Sequence, residues 1–175
     1  MVRLERFDRS DFKQLIEWIT DEELLTNWSG NLFSYPLTNA SLEWYLQDTN
    51  ILNKSDAFIY KVVDVNSQTI GHISLGSISW KNRSARLTRV LLGSKTERGK
   101  GCCHEMVTAV LKIAFEELTL HRVSLGVYDN NLAAKKCYEK SGFITEGVHR
   151  DVLWYKDKWW SMIEMAILQK EWESR

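Results

Sequence analysis

The chain reads as one α/β domain built on a single mixed, mostly antiparallel sheet. Three observations predict it. Strand-like segments come mostly in pairs joined by short polar turns, at residues 58–65 and 69–79 and again at 143–155 and 159–168, which is hairpin behaviour. Two segments with helical periodicity, 102–118 and 131–141, interrupt the strands, and a sheet fed by both kinds of connection is mixed and covered by helices on both faces. Finally, 175 residues suit a single domain, residues 1–175, and a 44% hydrophobic fraction with one proline, Pro36, leaves no composition for a long linker.

The elements follow in order. Residues 4–7 make a first short strand. Asp8 or Ser10 caps a helix whose apolar residues Phe12, Leu15, Ile16 and Ile19 fall at helical spacing. Residues 21–28 form a short helix and 30–37 a loop. Thr38 or Ser41 caps a third helix through Leu42, Tyr45 and Leu46. The strand pair 58–65 and 69–79 turns at Asn66 and Ser67, and a strand at 84–92 follows. The helix 102–118 leads into a strand at 122–128. Asp129 to Asn131 offer N-cap side chains for the next helix, which Gly142 ends. A long hairpin turning at 156–158 completes seven strands.

The most informative stretch lies between the fourth strand and the helix 102–118. Apolar Val90, Leu91 and Leu92 feed a polar loop containing Arg98, Gly99, Lys100 and Gly101, and a helix then opens at Cys102, Cys103 and His104. That order aims backbone N–H groups, at the positive end of a helix dipole, toward one point, which is how a phosphate is held. Two phosphate loops are excluded. A Walker loop has four residues between its glycines and a hydroxyl residue after lysine, but five residues separate Gly93 from Gly99 and Gly101 follows Lys100. The dinucleotide fingerprint needs a third glycine where Cys103 and His104 stand.

The remaining pattern, Arg98-x-x-Gly101-x-Cys103, resembles the pyrophosphate loop of the GCN5-related N-acetyltransferases, Gln/Arg-x-x-Gly-x-Gly/Ala, with Cys103 departing from the usual small residue. A second segment strengthens the resemblance. Asn131, Ala134, Tyr138, Glu139, Lys140, Gly142 and Phe143 match Asn-x-x-Ala-x-x-x-Tyr-Glu-Lys-x-Gly-Phe of that family, and Asn131, Ala134 and Tyr138 share one helical face. The branch it most resembles contains ribosomal-protein alanine and serine acetyltransferases and spermidine acetyltransferases, which share a Gly147-x-x-Arg150-like strand and a Trp/Met-rich terminal strand, here Trp159, Trp160, Met162 and Met165.

The resemblance implies a sheet whose fourth and fifth strands splay apart to admit acetyl-CoA. It implies coenzyme binding by Val90, Leu91, Leu92, Arg98, Gly99, Lys100, Gly101, Cys102, Cys103, His104, Asn131, Ala134 and Lys140, with a strand N–H from Val90 to Leu92 polarising the thioester carbonyl. It implies Tyr138 as the acid that protonates the departing sulfur. The acceptor would be a primary amine, foremost a ribosomal-protein-type N-terminal α-amine, then a polyamine- or aminoglycoside-like small amine. A non-catalytic acyl-CoA-binding module is the reading from another class.

A base is harder to find. Relatives carry an acidic residue in the fourth strand, where this chain has Ala85, Arg86, Leu87, Thr88 and Arg89. Glu22, Glu43 and His72 are the candidates. An α-amine with pKa near 8 is about 10% neutral at pH 7, whereas a lysine-like amine near 10.4 is about 0.04% neutral, so a site without a strong base suits the α-amine. The acceptor end should come from residues 12–46, rich in Trp18, Trp28, Phe33, Tyr35, Trp44 and Tyr45, whose acidic cluster Asp21, Glu22 and Glu23 leans toward a cationic substrate.

Composition bounds the rest. Lys plus Arg and Asp plus Glu both number 23, which gives no basic surplus for nucleic acid. Cys102, Cys103 and Cys137 have no disulfide-framework or metal spacing and read as reduced thiols, either of the last two able to form a mixed disulfide if it approached the coenzyme sulfur. His72, His104, His121 and His149 lack ligand spacing, so no metal is expected. No apolar run reaches membrane-spanning length and no signal core opens the chain, so the expectation is a soluble, cytoplasmic protein, monomer or homodimer.

Overall fold

The computed structural model describes residues 1–93 and 99–175. Seven strands form one sheet in the order β1-β2-β3-β4-β5-β7-β6. They are β1 (Arg3–Arg6), β2 (Phe58–Val63), β3 (Thr69–Ser79), β4 (Ser84–Leu92), β5 (Arg122–Tyr128), β6 (Ile144–Tyr155) and β7 (Lys158–Leu168). Every neighbouring pair is antiparallel except β4–β5. That parallel pair requires a crossover, and α4 (Cys102–Lys112) with its π-helical end (Ile113–Glu117) supplies it.

The two sheet faces bury two separate cores. On one, Met106, Val107, Val110 and Leu111 of α4, all at 0% exposure, pack on Ile73, Leu75, Val123 and Leu125 together with Tyr138 of α5 (Leu132–Lys140). On the other, α1 (Phe12–Trp18), α2 (Glu22–Ser29) and α3 (Asn39–Leu46) cover Ile59 and Leu91 with Leu15, Leu25, Trp28 and Leu42. Alternation along β4 divides the strand end between them: Val90 and Leu92 pack against the first core, Leu91 against the second.

The helix starts are set by local chemistry. Asp21 accepts a hydrogen bond from Leu24 N–H and Thr38 from Ser41 N–H, each satisfying a donor of the first turn. Asp8 caps a short 3-10 turn, Arg9–Asp11, that runs into α1. Asn131 caps α5 by accepting from Ala134 N–H at 3.2 Å. A short terminal helix, α6 (Gln169–Glu173), follows β7 without a sequence signal that predicts it. Among the described residues no helix is long and apolar enough to cross a membrane.

One expectation is overturned. Cys103 in the first turn of α4 and Cys137 in α5 form a disulfide, with Cα atoms 6.2 Å apart, instead of standing as reduced thiols, and each is the other's partner rather than a coenzyme sulfur's. The two cysteines are 34 residues apart, a spacing that carries no signal until the two helices pack side by side. Closing a loop of that length stabilises the fold by about 4 kcal/mol. Replacing both cysteines by serine should therefore lower the melting temperature by roughly 8–16 °C for a chain of this size. Calorimetry of the oxidised protein, the same protein under reductant and the double variant tests this. Identical melting in all three would show that the bond contributes nothing to stability.

Candidate active site

The strands β4 and β5 pair only at Ser84, Ala85 and Arg86, opposite Arg122, Val123 and Ser124. Beyond Arg86 they part. Those backbone N–H groups of β4 that face away from β3 then have no strand to donate to, and they line an opening between the two cores.

A bulge in β4 lies beside this opening. His72 pairs with Leu91 and Ser74 with Thr88, so Ile73 alone on β3 faces both Arg89 and Val90. Arg89 adopts a φ of 51°, a left-handed conformation that costs a non-glycine residue about 1–3 kcal/mol. Its carbonyl leaves the ladder and accepts two hydrogen bonds, from Trp28 Nε1–H at 3.0 Å and from His72 Nδ1 at 2.9 Å. At about 1 kcal/mol each, these offset the strain.

Burial lowers the pKa of His72 to about 4, with the nearby Arg89 charge acting in the same direction, so the ring is neutral at physiological pH. Because a carbonyl only accepts, the proton resides on Nδ1 and Nε2 is bare. That nitrogen is buried without a hydrogen-bond partner among the described residues, packed by Phe7, Trp28 and Tyr45. His72 is thus a structural prop for the bulge and is sealed from any substrate.

On one side of the opening stands the loop before α4. Gly99 and Gly101 take φ values of +80° and +87°, and no atom of the described residues comes within 4 Å of where a Cβ would lie at either. Gly101 is the N-cap of α4 and has no side chain to close the helix end. This cradle fits a pyrophosphate: glycine conformations, room for close approach and a dipole of the right sign. Lys100 lies within it, between the two glycines, and Cys102 and Cys103 open the helix. His104 bonds Ser141 through Nδ1 at 2.9 Å and shares a groove with Lys140 and Arg175. Burial, then Lys140 and Arg175, lower its pKa. Arg98 lies outside the described residues.

Val90, Cys103, Ala134 and Cys137 all pack against the core that contains Tyr138. Tyr138 is 7% exposed, its ring edge-on to Phe143 at 6.0 Å, and its hydroxyl makes no hydrogen bond among the described residues. Burial pushes its pKa up, so the phenol remains protonated at neutral pH.

On the opposite face the same opening continues as a cavity of about 200 Å³ lined by residues 27–30 at the end of α2, by Arg86, Thr88 and Arg89, and by Gly126, Tyr128 and Met162. Arg86 crosses over Gly126 to hold Glu164 with two hydrogen bonds of 2.7 and 2.8 Å. Glycine leaves room for this crossing: a Cβ on Gly126 would lie 2.6 Å from the Arg86 guanidinium and 2.5 Å from Met162 Sδ, and both side chains would have to shift. Of these cleft residues the sequence points to the acceptor side only through Trp28; Arg86, Thr88 and Arg89 are marked only by occupying a strand where relatives carry an acid.

The candidate bases do not reach the cleft. Glu43 is exposed and paired with Arg9 at 2.6 and 2.9 Å, which lowers its pKa. Glu22 belongs to the first turn of α2, while the last turn of that helix borders the cleft, roughly 10 Å away at 1.5 Å per residue. Asp21 is spent as the cap. The acidic cluster therefore completes a helix start and does not line the acceptor side. Of the aromatic residues, Trp28 and Tyr45 are core and pack on His72, Trp18 and Phe33 are partly buried against that core, and Tyr35 and Trp44 are exposed at 44% and 59%. Among the described residues no group of three His, Cys, Asp or Glu side chains could hold a metal.

Comparison with known proteins agrees with this geometry. The profile of the acetyltransferase (GNAT) domain family matches residues 2–144. A prophage-derived uncharacterized N-acetyltransferase, YokL, of Bacillus subtilis is 28% identical over 87% of this chain and 82% of its own length. The putative ribosomal N-acetyltransferase YdaF of the same organism is 31% identical over 59% of this chain and 55% of its own. The crystal structure of spermidine N-acetyltransferase from Vibrio cholerae in complex with CoA and spermine shares the fold, with a TM-score of 0.83 at 22% identity over 98% of both chains.

The state of His72 predicts a pH dependence. Its folded pKa of about 4 lies below the unfolded 6.5, so the unfolded chain binds the extra proton between those values and stability falls as pH drops through that window. From pH 7 to pH 5 the loss from this group is about 2 kcal/mol. Denaturant unfolding at both pH values should show that increment in the wild type and not in His72→Asn, which keeps a donor toward the Arg89 carbonyl. Equal slopes in the two proteins would refute the assignment.

Proposed function

The chain belongs to the acetyltransferase (GNAT) domain family, and from that premise we propose that its acceptor is the α-amine of a protein N-terminus of ribosomal-protein type. As a member it is an acetyl-CoA-dependent N-acetyltransferase, an acyltransferase that moves an acetyl group from a thioester to an amine. The observation that carries the finer reading is the acceptor-side cleft. It is lined by two arginines and, among the described residues, by no carboxylate, and Glu164 nearby is bound bidentately to Arg86. A polycation finds no free negative charge there. The volume, about 200 Å³, is also below the roughly 300–1,000 Å³ that encloses a whole small ligand, so the cleft receives the reacting end of a larger acceptor.

The chemistry follows from the same parts. The pyrophosphate of acetyl-CoA would lie on the Gly99–Gly101 cradle, and its acyl end would enter between β4 and β5. A β4 N–H in the Val90 to Leu92 stretch would bond the thioester oxygen as charge builds there, an interaction worth about 2.7–4 kcal/mol. The neutral amine approaches from the cleft and attacks the carbonyl carbon. The carbon–sulfur bond breaks, and the Tyr138 hydroxyl donates a hydrogen bond to the departing sulfur. A thiol near pKa 8.5 is a stronger acid than a phenol raised above 10, so Tyr138 stabilises the thiolate, and the proton it finally gains is the one the attacking amine releases. No strong base is needed, since an α-amine near pKa 8 is about 10% neutral at pH 7.

The proposal is tested by turnover. Wild-type protein should release thiol from acetyl-CoA with N-terminal peptides and far more slowly with spermidine or an aminoglycoside. Tyr138→Phe should lower kcat by roughly 10²–10⁴-fold and leave acetyl-CoA affinity unchanged in a thermal-shift titration. Full turnover in that variant removes the tyrosine from the mechanism. Acetyl-CoA binding without turnover on any amine would instead make the protein a non-catalytic acyl-CoA-binding module, and preference for spermidine would make the acceptor a small amine.

A further inference from the structure

The acceptor cleft contains two buried polar atoms that have no partner among the described residues, the Nε–H of Arg89 and the Oδ1 of Asn27. Both residues line the same cavity. Native proteins seldom leave such atoms unmatched unless something else binds them. They are of opposite kinds: one needs an acceptor, the other a donor.

Charge separates the two arginines of the cleft. Arg86 is neutralised by Glu164. Arg89 donates from Nη1 to Thr88 Oγ1 at 3.0 Å and lies 5.0 Å from the centroid of the Tyr45 ring, and no carboxylate among the described residues pairs with it. Its neighbours add no negative charge: His72 is neutral, Tyr45 is a buried phenol whose pKa burial raises, and Thr88 is uncharged. A guanidinium cannot shed its proton. A half-buried cation without a counter-charge is stabilised most by an anion that arrives with the ligand.

We propose that the acceptor carries a carboxylate close to its reacting amine: a protein N-terminus whose first or second residue is acidic. Arg89 receives the carboxylate through Nε–H, and Asn27 Oδ1 receives an N–H of the terminal amine or first peptide bond. The C-terminal end of α2, which borders the cleft at residues 27–30, contributes the negative end of a helix dipole on the side where the amine nitrogen would lie. Arg89 is thereby a specificity-determining residue, and its side chain and its clamped carbonyl serve different purposes. This inference rests on the reading of the acceptor as a protein α-amine.

Initial rates on hexapeptides differing at one position test it, with Glu, Gln or Lys second after a terminal serine, and Asp or Asn first. Wild type should favour each acidic peptide over its amide by about tenfold or more in kcat/KM, the effect of one charge-assisted hydrogen bond, and should use the lysine peptide least. Arg89→Gln should bring the acid-to-amide ratio to about twofold or less, and Arg89→Lys should restore part of it. Acetyl-CoA affinity should be unchanged in both variants. A ratio near one in the wild type, or a ratio that survives Arg89→Gln, overturns the inference while leaving the α-amine reading intact. Equal loss on all peptides with the ratio preserved would assign Arg89 a purely structural role and overturn it as well. Turnover on small amines with none on any peptide removes both readings.

Discussion

The left-handed turn of a single arginine organises this molecule's working region. At Arg89 the fourth strand departs from regular pairing with β3: one extra residue bulges, and its carbonyl is held by Trp28 and His72 before pairing resumes at Leu91. β4 stays paired with β3 on either side of the bulge and parts from β5 after Arg86, so the bulge lies on the stretch of β4 that borders the opening. The strained conformation persists because two indispensable donors are fixed by the rest of the fold, Trp28 by α2 and His72 by the centre of β3. His72 makes its part of that grip through Nδ1–H, and burial among three aromatic rings keeps the imidazole neutral.

The two cores serve the two substrates separately. The core beneath α4 and α5 supports the glycine cradle, Tyr138 and the Cys103–Cys137 bond, so everything on the coenzyme side is braced by one block of side chains. The core beneath α1 to α3 supports Trp28, His72 and Tyr45, and with them the acceptor side. Leu91, whose side chain faces the second core while Val90 and Leu92 face the first, is the seam. Gly71 permits this close fit, because a Cβ there would lie 2.6 Å from the Leu91 carbonyl oxygen. A shift in either core is therefore transmitted to the one strand end that both cores share.

Much of this was legible in the residues, and the limits have physical causes. The strands at 84–92 and 122–128 and the α5 cap follow from alternation and from Asn131, because these signals are local. The glycine cradle before α4 was readable too, since glycines at positive φ before a helix are a backbone requirement written directly in residue type. The acceptor side was not. Arg86 and Arg89 look like the solvated positions of an alternating strand, and only the bulge turns Arg89 toward the cavity. Asp21 to Glu23 looked like a cation-binding cluster, but a helix start needs the same residues, and sequence does not say which end of α2 meets the cleft. The disulfide was hidden for a similar reason, because Cys103 and Cys137 meet only through helix packing.

The missing fourth-strand acid and the presence of Arg89 can be understood as one adaptation. A carboxylate base in that strand would help only an acceptor that arrives fully protonated, and it would repel an acidic chain. Replacing it with an uncompensated guanidinium lowers the tolerance for polycations and keeps the local field positive, which favours the neutral form of an amine brought near it. The same positive charge raises the cost of holding His72 protonated. On the proposed reading, acceptor recognition and the shape of β4 meet at one residue, Arg89, through its side chain and its own carbonyl.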